Sequence, residues 1–162
     1  MNRCDPKYCT NPPTGRISFV KTLYTAEALA SGEGRDGAAR SNDGKLAVAL
    51  ASPVELGGSG QGTNPEQLFA AGYAACFHSA LRLVGRKAGA DLTDSAVAAK
   101  IHLGQLDGAA GFGLAAELEI ALPALDLAAA EELVAKAHEV CPYSNATRGN
   151  ITVDLKILEY AA

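Results

Sequence analysis

Apolar and small residues are densest in residues 64–88, NPEQLFAAGYAACFHSALRLVGRKA, and this stretch predicts the central element of the fold. Through its first half they occupy every side of a helical projection, which is typical of a buried helix. Asn64 as N-cap, Pro65 at the first helical position and Gln67 in the place of a capping box predict where the helix begins. We therefore expect a long buried helix with one thiol, Cys76, near its middle.

Before this helix the pattern indicates strands. Alternation from residue 16 onward, with Phe19, Lys21 and Leu23 on one side, predicts a first strand. The turn sequence at residues 42–44, Asn-Asp-Gly, followed by alternating apolar residues, predicts a hairpin. Arg35 lies between these segments in a glycine-flanked bend, Gly-Arg-Asp-Gly. An arginine in such a bend is usually solvated, so the local pattern alone assigns it no role.

Beyond the helix, the pattern predicts two further strands. Gly89 is placed to end the helix. Alternation then predicts a strand over residues 95–103, and residues 114–122 read as its antiparallel partner. Residues 105–113, which are rich in glycine, connect the two.

The remainder of the chain predicts a second helix and a last strand. Asp126 is placed to cap a helix over residues 127–141, whose apolar steps of three and four put Cys141 on the inward face. Pro142 stops or kinks the chain there, and a short irregular passage follows. A last strand is predicted by alternation at Ile151, Val153, Leu155 and Ile157. The order strands, helix, strands, helix, strand predicts an α+β fold with antiparallel pairing rather than a wound βαβ sheet.

Composition limits the class of protein. With 162 residues, 48% hydrophobic and 20% charged, the chain suits one globular domain, which we place at residues 16–162. A net charge of -4 and no basic run argue against a nucleic-acid surface. No strictly apolar run approaches the roughly 20 residues of a membrane span, and the first residues lack a secretory pattern. We therefore expect a cytoplasmic protein without a membrane segment.

Two segments invite interpretations that their spacing does not support. Residues 1–15 carry Cys4 and Cys9, but this pair is only half of a zinc site, so we predict a mobile, non-catalytic extension. Residues 53–62 contain Gly-Gly-Ser-Gly-Gln-Gly, which lacks the lysine and spacing of a phosphate-binding loop. We interpret that segment as a flexible linker, and we expect neither a metal nor a bound cofactor.

Cys76 and Cys141 carry the candidate chemistry. Both fall on predicted core faces, where a cysteine often serves as a small hydrophobic residue. Two helices that bring buried thiols together can also form a reversible disulfide. The residues alone leave these two interpretations equally open.

Two longer segments resemble a known family. AAGYAACFHSAL around Cys76 and CPYSNATRGN around Cys141 are similar to the cysteine motifs of the organic hydroperoxide resistance proteins. These are thiol peroxidases in the wider OsmC/Ohr family, which includes osmotically inducible protein C. GRDG, NPEQLF and the turn at residues 41–44 match as well. The resemblance covers nearly everything from about residue 21 to residue 158 and leaves out the N-terminal segment.

The resemblance implies a role for four residues. Cys76 matches the peroxidatic cysteine, which attacks the peroxide and becomes a sulfenic acid, and Cys141 matches the resolving cysteine, which condenses with it to a disulfide. Arg35 matches the arginine that stabilises the thiolate, and Glu66 matches the carboxylate that orients this arginine. The resemblance also implies a lipoyl dithiol, free or on lipoylated enzyme subunits, as reductant. The implied fold is an intertwined homodimer with antiparallel sheets around long central helices and two active sites at the interface.

A buried Cys76 needs a nearby cation to stabilise its thiolate. A thiol is mostly protonated at neutral pH, and burial raises its pKa further. Cys76 lies 11 residues beyond Pro65, too far for the helix dipole to help. An arginine can bond both a thiolate and a peroxide oxygen, and a carboxylate can hold it in place. Arg35 and Glu66 would supply these two parts.

The helix geometry adds a hypothesis. Glu66 and Cys76 are 10 residues apart, which on a straight helix is a rise of about 15 Å and a rotation of about 280°. They cannot share one site within one helix. We therefore predict that each site combines Cys76 and Cys141 of one chain with Arg35 and Glu66 of the other. Small residues along the helix would let two such helices pack closely.

Residues around Cys76 predict the substrate class. Apolar side chains on or near the same helix suggest an apolar funnel for alkyl and lipid hydroperoxides: Phe69, Phe77, Leu81, Leu83 and Val84. A buried alkyl chain contributes roughly 0.8 kcal/mol per methylene. For most of these side chains a plain core role is the simpler interpretation. His78 points about 200° away from Cys76 and is interpreted as structural, and no role is assigned to Tyr143 or Asn145.

Two other classes remain open. A catalytically inert, ligand-binding protein of the same fold would be expected to lack Arg35 or Glu66, and both are present. A thiol–disulfide oxidoreductase acting on proteins would need an exposed thiol of low pKa, usually in a C-x-x-C motif. Cys76 is predicted to be too buried for that role, and Cys141 is too distant in sequence.

Overall fold

The computed structural model describes residues 20–158, which form two three-stranded sheets and three α-helices. The first sheet contains β1 (Ala28–Ser31), β2 (Ala38–Ser41) and β3 (Ala47–Ala49), and the second contains β4 (Ala96–Gln105), β5 (Phe112–Ala121) and β6 (Val153–Leu158). The helices are α1 (Pro65–Ala88), α2 (Leu127–Val140) and α3 (Pro142–Thr147). The α+β prediction is confirmed. Residues 1–15, including Cys4 and Cys9, lie outside the described residues.

Helix α1 begins and ends where the sequence predicts. The Asn64 side chain accepts a hydrogen bond from the backbone N–H of Gln67, and Pro65 is the first helical residue. The Gln67 side chain does not return the bond as in a capping box, because its Oε1 accepts from the Thr63 hydroxyl at 2.7 Å. Gly89 ends the helix in the left-handed conformation, with φ 68°.

Only one side of α1 is buried within the subunit. Tyr73, Phe77 and Leu81 are fully buried in a core formed with α2 and β5. The opposite side, with Ala71, Ala75 and Ser79 at intervals of four, is exposed. The expectation of a helix buried all round is therefore wrong for the single subunit. By length and hydropathy α1 could span a membrane, but Tyr73, Phe77 and Leu81 on it belong to the protein core.

The second sheet is the floor of that core. β4 pairs with β5 antiparallel over ten residues, as predicted. β6 pairs with β5 in parallel, so the connection through α2 and α3 is a crossover. This pair is the exception to the predicted antiparallel pairing, and Ile151 falls just before the strand. Ala116, Leu118 and Ile120 point inward from β5.

Pro142 starts a helix that the sequence did not predict. The Asp126 side chain caps α2 by accepting from the Ala129 N–H, as expected. The chain then turns at Cys141 and continues as α3. A proline suits the first position of a helix because the missing N–H has no helical partner there. The predicted irregular passage is therefore wrong over Pro142–Thr147.

The first sheet packs little against the rest of its own subunit. The hairpin of β2 and β3 matches the prediction, and Gly44 takes the positive φ of 72° that its turn requires. None of the residues in β1, β2 or β3 is buried. Residues 20–27 form no strand, contrary to the predicted alternation, and Phe19 lies outside the described residues. The segment 53–62 contains a 3₁₀ turn at Val54–Leu56 and several backbone hydrogen bonds, so it is more structured than a plain linker.

Candidate active site

Two thiols face each other between α1 and the junction of α2 with α3. The Sγ atoms of Cys76 and Cys141 lie 3.6 Å apart. A disulfide bond is about 2.05 Å long, so these are free thiols in near contact. Cys141 is fully buried, whereas Cys76 is partly exposed. A reagent from solvent therefore reaches Cys76 first.

The backbone around Cys141 belongs to two helices. Its N–H bonds the Ala137 carbonyl at 2.9 Å and closes α2, while its carbonyl accepts from the Asn145 N–H at 2.9 Å and opens α3. Cys141 is thus the C-cap of one helix and the N-cap of the next. This double role fixes its backbone beside the middle of α1.

An aromatic cluster packs beside the thiol pair. The rings of Phe69, Tyr73 and Tyr143 contact one another with centroids 5.7–5.9 Å apart. The Tyr143 ring lies across Gly72, where an added Cβ would be 2.9 Å from the Tyr143 hydroxyl. A larger residue at Gly72 would displace that ring, so glycine allows α3 to lie close to α1.

The environment of Cys76 within one subunit favours the thiol over the thiolate. Burial raises the pKa of Cys76 above its ordinary value, and a backbone hydrogen bond from Tyr143 lowers it in part. Cys141 adds to the rise through its thiol contact. The thiolate is the nucleophile, and within residues 20–158 no cationic side chain shifts the pKa of Cys76 in its favour.

Arg35 and Glu66 form a second pair at the N-terminal end of α1. The guanidinium donates two hydrogen bonds to the two carboxylate oxygens, at 2.8 and 2.7 Å. The side chain of Arg35 is 41% exposed and that of Glu66 is 16% exposed. The bidentate hydrogen bond lowers the pKa of Glu66, against an opposing effect of burial. The arginine is thus held in one orientation while remaining open to solvent.

The four predicted site residues therefore form two separate pairs in one subunit. Arg35 is not among the groups that shift the pKa of Cys76. Glu66 lies 10 residues before Cys76 on the same helix, a rise of about 15 Å. The prediction that the pairs meet across two chains stays a prediction, because the structure describes one subunit.

The apolar residues proposed as a funnel divide into two groups. Phe77 and Leu81 are fully buried core residues, which agrees with the simpler interpretation. Phe69 and Val84 are partly buried, and Leu83 is 41% exposed. His78 is turned to Ser95, with Nε2 and Oγ 3.1 Å apart, as expected for a structural residue.

An open groove of about 660 Å³ lies beside Glu66 rather than beside Cys76. Its apolar floor comes from α1 and β4, through Ala70, Ala99 and Ile101, and Leu56 lines the side formed by the 3₁₀ turn. The arginine-bearing end of the subunit thus has open space next to it.

Sequence reasoning missed two groups near the thiols. The backbone of Tyr143 lowers the pKa of Cys76. The Tyr73 hydroxyl lies within hydrogen-bond distance of Ser144 and Thr147 on α3. Both depend on α3, which was not predicted. A proline directly after a candidate helix end was the available signal, because it is also a helix-start signal.

Comparison with known proteins defines the class to which this fold and site belong. The family model described as OsmC-like protein matches residues 58–156. An organic hydroperoxide resistance protein of Xanthomonas axonopodis pv. citri (strain 306) is 52% identical over 139 residues, 85% of this chain and 96% of that relative.

Solved structures agree with this class. An organic hydroperoxide resistance protein from Legionella pneumophila superposes with a TM-score of 0.81 at 50% identity, over 86% of this chain and 100% of that one. OhrB of Bacillus subtilis superposes with a TM-score of 0.77 at 42% identity, over 85% of this chain and 100% of that one. The chain belongs to the OsmC-like family, on its organic hydroperoxide resistance branch.

Proposed function

We propose that this protein is a cysteine-based, thiol-dependent peroxidase that reduces organic hydroperoxides to alcohols and serves in oxidative stress defence. The observation that carries the proposal is the 3.6 Å approach of a partly exposed thiol to a buried one. A relative named for organic hydroperoxide resistance, 52% identical to this chain, supports the substrate class.

The chemistry uses the two thiols in turn. The Cys76 thiolate attacks the terminal oxygen of the hydroperoxide, giving a sulfenate and releasing an alcohol. After protonation, the Cys141 thiol attacks the sulfenic sulfur, forms the Cys76–Cys141 disulfide and expels water. An external dithiol then reduces the Cys76–Cys141 disulfide, which regenerates both thiols, and is itself oxidised to a disulfide.

The accessible sulfur decides where the reductant attacks. Cys141 has no exposed surface, and Cys76 is partly exposed. A dithiol therefore reaches the disulfide at Cys76 and expels the Cys141 thiolate. We propose dihydrolipoamide or a lipoylated protein as that dithiol, in a cytoplasmic location, and no cofactor held by the protein.

Arg35 and Glu66 complete the site from a second subunit in this proposal. Burial raises the pKa of Cys76, so the thiol requires a cation that its own subunit keeps at the far end of α1. A homodimer supplies that cation when two α1 helices lie side by side. The stripe of Ala71, Ala75 and Ser79 permits the close approach, because it is exposed and carries little side chain.

Two surfaces support the homodimer independently of the catalytic argument. The first sheet buries little against its own subunit. Exposed apolar side chains accompany it, among them Val20, Leu23, Tyr24 and Leu29. The groove beside Glu66 offers room for a partner segment and for the alkyl part of a substrate.

A catalytically inert, ligand-binding protein of the same fold is the second candidate. The raised pKa of Cys76 and the distance of Arg35 favour it if the subunit acts alone. Both candidates keep the same fold, so activity has to separate them.

Hydroperoxide consumption with dihydrolipoamide as reductant tests the proposal. The wild type is expected to consume cumene hydroperoxide faster than hydrogen peroxide, and Cys76→Ser is expected to lose this activity. Cys4→Ser is a matched thiol control and should retain it. Equal consumption by the wild type and Cys76→Ser would overturn the proposal and leave the ligand-binding alternative.

A further inference from the structure

A buried cluster of hydroxyls joins α1 to α3 next to the thiol pair. The Tyr73 Oη lies 3.1 Å from the Ser144 Oγ and 3.2 Å from the Thr147 Oγ1. Tyr73 and Ser144 have no exposed surface, and Thr147 is 6% exposed. Buried hydroxyls are costly unless they are hydrogen-bonded, so this cluster depends on all three of its members.

The donors in the cluster have a defined order. Each hydroxyl has one proton to donate. The Thr147 Oγ1 lies 2.9 Å from the Tyr143 carbonyl oxygen, which can only accept, so Thr147 donates there. Tyr73 then donates to Thr147, and Ser144 donates to Tyr73. The chain of bonds ends on the backbone of Tyr143, the residue whose backbone lowers the pKa of Cys76.

The hydroxyl contact and the thiol contact join the same two segments one turn apart. Tyr73 precedes Cys76 by three residues on α1, and Ser144 follows Cys141 by three residues on α3. Three helical residues rise about 4.5 Å. The bond from Tyr73 to Ser144 therefore lies about one turn from the 3.6 Å contact between the sulfurs.

Helix α3 needs such a tie because it is short. It has six residues, and isolated helices of that length are unstable in water. Arg148, at its end, donates to the His138 carbonyl at 2.7 Å and so ties α3 to α2 rather than to α1. Tyr73 instead ties α3 to α1, the helix that carries Cys76, through its hydrogen bonds to Ser144 and Thr147.

We propose that Tyr73, acting through Ser144 and Thr147, is a positioning residue for the Cys76–Cys141 disulfide. Its hydroxyl holds α3 against α1, so that the Cys141 sulfur stays within reach of the Cys76 sulfur. This inference rests on the proposed function, in which that disulfide forms in each turnover. In that step the Cys141 sulfur bonds to the sulfenic sulfur of Cys76, and the sulfenic hydroxyl leaves as water with the thiol proton.

Equilibration with glutathione tests the positioning without depending on peroxidase activity. Two glutathione thiols reduce the disulfide and become oxidised glutathione, so the equilibrium gives the effective concentration of the two protein thiols. The full chain carries Cys4→Ser and Cys9→Ser, so that the redox signal comes from Cys76 and Cys141. Tyr73→Phe removes only the hydroxyl. Thr147→Val and Thr147→Ser form a matched pair, since the first loses the hydroxyl at nearly constant shape and the second keeps it.

We expect the effective concentration to fall about fivefold in Tyr73→Phe and Thr147→Val, the factor that corresponds to one net hydrogen bond. Thr147→Ser should stay near the wild type. Wild-type values in both Tyr73→Phe and Thr147→Val would overturn the proposal, as would equal losses in Thr147→Ser and Thr147→Val. If Tyr73→Phe fails to fold, the pair at Thr147 decides alone.

A pH profile separates positioning from a general loss of stability. In a Cys141→Ser background, the rate of Cys76 alkylation by iodoacetamide reports its thiolate. We expect the pH midpoint to rise in Tyr73→Phe, because the backbone of Tyr143, which lowers the pKa of Cys76, moves away from the sulfur as α3 loosens. An unchanged midpoint would mean that α3 keeps its place and would contradict the proposal. If the wild type shows no peroxidase activity while these shifts appear, the proposed function fails and the positioning role stands.

Discussion

The two ends of the proposed chemistry differ sharply in how complete they are within one subunit. At the middle of α1, Cys76 and Cys141 are packed between helices, with the aromatic cluster and the buried hydroxyl cluster beside them. At the start of α1, Arg35 and Glu66 bond each other beside an open groove, and the arginine is 41% exposed. The first pair is enclosed, and the second faces outward.

The thiol pair and the Arg35–Glu66 pair supply different requirements of the proposed reaction. The enclosed pair has what disulfide formation requires, namely two sulfurs in near contact. It does not favour thiolate formation, since burial raises the pKa of Cys76 and no cation in the described part of the subunit compensates. The outward pair is a guanidinium held in orientation by a carboxylate, and neither described thiol, Cys76 or Cys141, lies beside it in the same subunit. Each end supplies what the other lacks, which is expected of one site shared by two subunits.

Loss of the buried thiol should give the largest effect. Cys141→Ser is expected to complete one oxidation of Cys76 at nearly the wild-type rate and then to stop, because the disulfide cannot form. Intact-protein mass spectrometry after stoichiometric and excess cumene hydroperoxide measures this as sulfenic and then sulfinic acid. Sustained turnover by Cys141→Ser with dihydrolipoamide would show that the enclosed pair does not act as a pair.

Loss of the outward charge should come next. We expect Arg35→Ala to reduce the single-turnover rate with hydroperoxide about 100-fold, the scale of removing one charge-stabilising donor. The single-turnover rate of Arg35→Lys should lie between those of the wild type and Arg35→Ala. An ammonium keeps the positive charge but cannot bond carboxylate and thiolate through a planar fork. Arg40→Ala, at an exposed position on β2, is the control. A wild-type rate in Arg35→Ala would remove the outward pair from the account.

Local patterns in the sequence predict the helix ends better than they predict the residue pairs. The caps of α1 and α2 follow from Asn64 and Asp126, because capping is a local interaction. The pairing of Cys76 with Cys141, and of Arg35 with Glu66, came from the resemblance to a family, because contacts between distant segments leave no periodic trace in one sequence. The predicted alternation, which forms no strand over residues 20–27, illustrates the same limit. Alternation indicates faces, but a strand also needs a neighbour to accept its hydrogen bonds.

The packing between the two helices should give a smaller effect. In Gly72→Ala, the new Cβ would lie 2.9 Å from the Tyr143 hydroxyl, so the ring has to shift. We expect disulfide formation to slow about twofold to threefold. Alanine has the better helix propensity by about 1 kcal/mol, and this gain should offset the cost of moving the ring. The free energy of unfolding should therefore stay nearly unchanged.

Gly85→Ala is the matched control for Gly72→Ala, since it makes the same change in the same helix. Its Cβ would lie 2.5 Å from Leu92 Cδ1, in the core and away from the thiols. It should lower the melting temperature and leave the rate of disulfide formation unchanged. Equal effects of both variants on disulfide formation would contradict a specific role for the Tyr143 ring.

The supporting sheet should give the smallest effect, and only in acid. Lys100, at 2.7 Å, and Lys156 hold the pKa of Glu117 at about 2, below its ordinary value of 4.5. A lowered carboxylate pKa stabilises the fold above about pH 4.5, and this contribution is lost as the pH falls from 4.5 toward 2. Urea unfolding of Glu117→Gln should therefore differ from the wild type at pH 7 and converge with it near pH 2. A difference that does not shrink in acid would contradict the ion pairs as its source.

The unpredicted parts of the enclosed end have one common cause. Pro142 is compatible both with the end of α2 and with the start of α3, and no local pattern favours the second. Tyr73 and Gly72 look like ordinary members of a buried helix until α3 is placed against them. Their roles depend on that packing, which local patterns do not encode.

A mixed dimer of Cys76→Ser and Arg35→Ala chains, isolated with two different affinity tags, tests the shared site most directly. If each site takes its thiols from one chain and its arginine from the other, the mixed dimer has one intact site and one doubly defective site. It should then consume organic hydroperoxide at about half the wild-type rate per dimer, although both parent homodimers are nearly inactive. A mixed dimer as inactive as its parents would show that Arg35 serves the thiols of its own chain, and it would contradict the account.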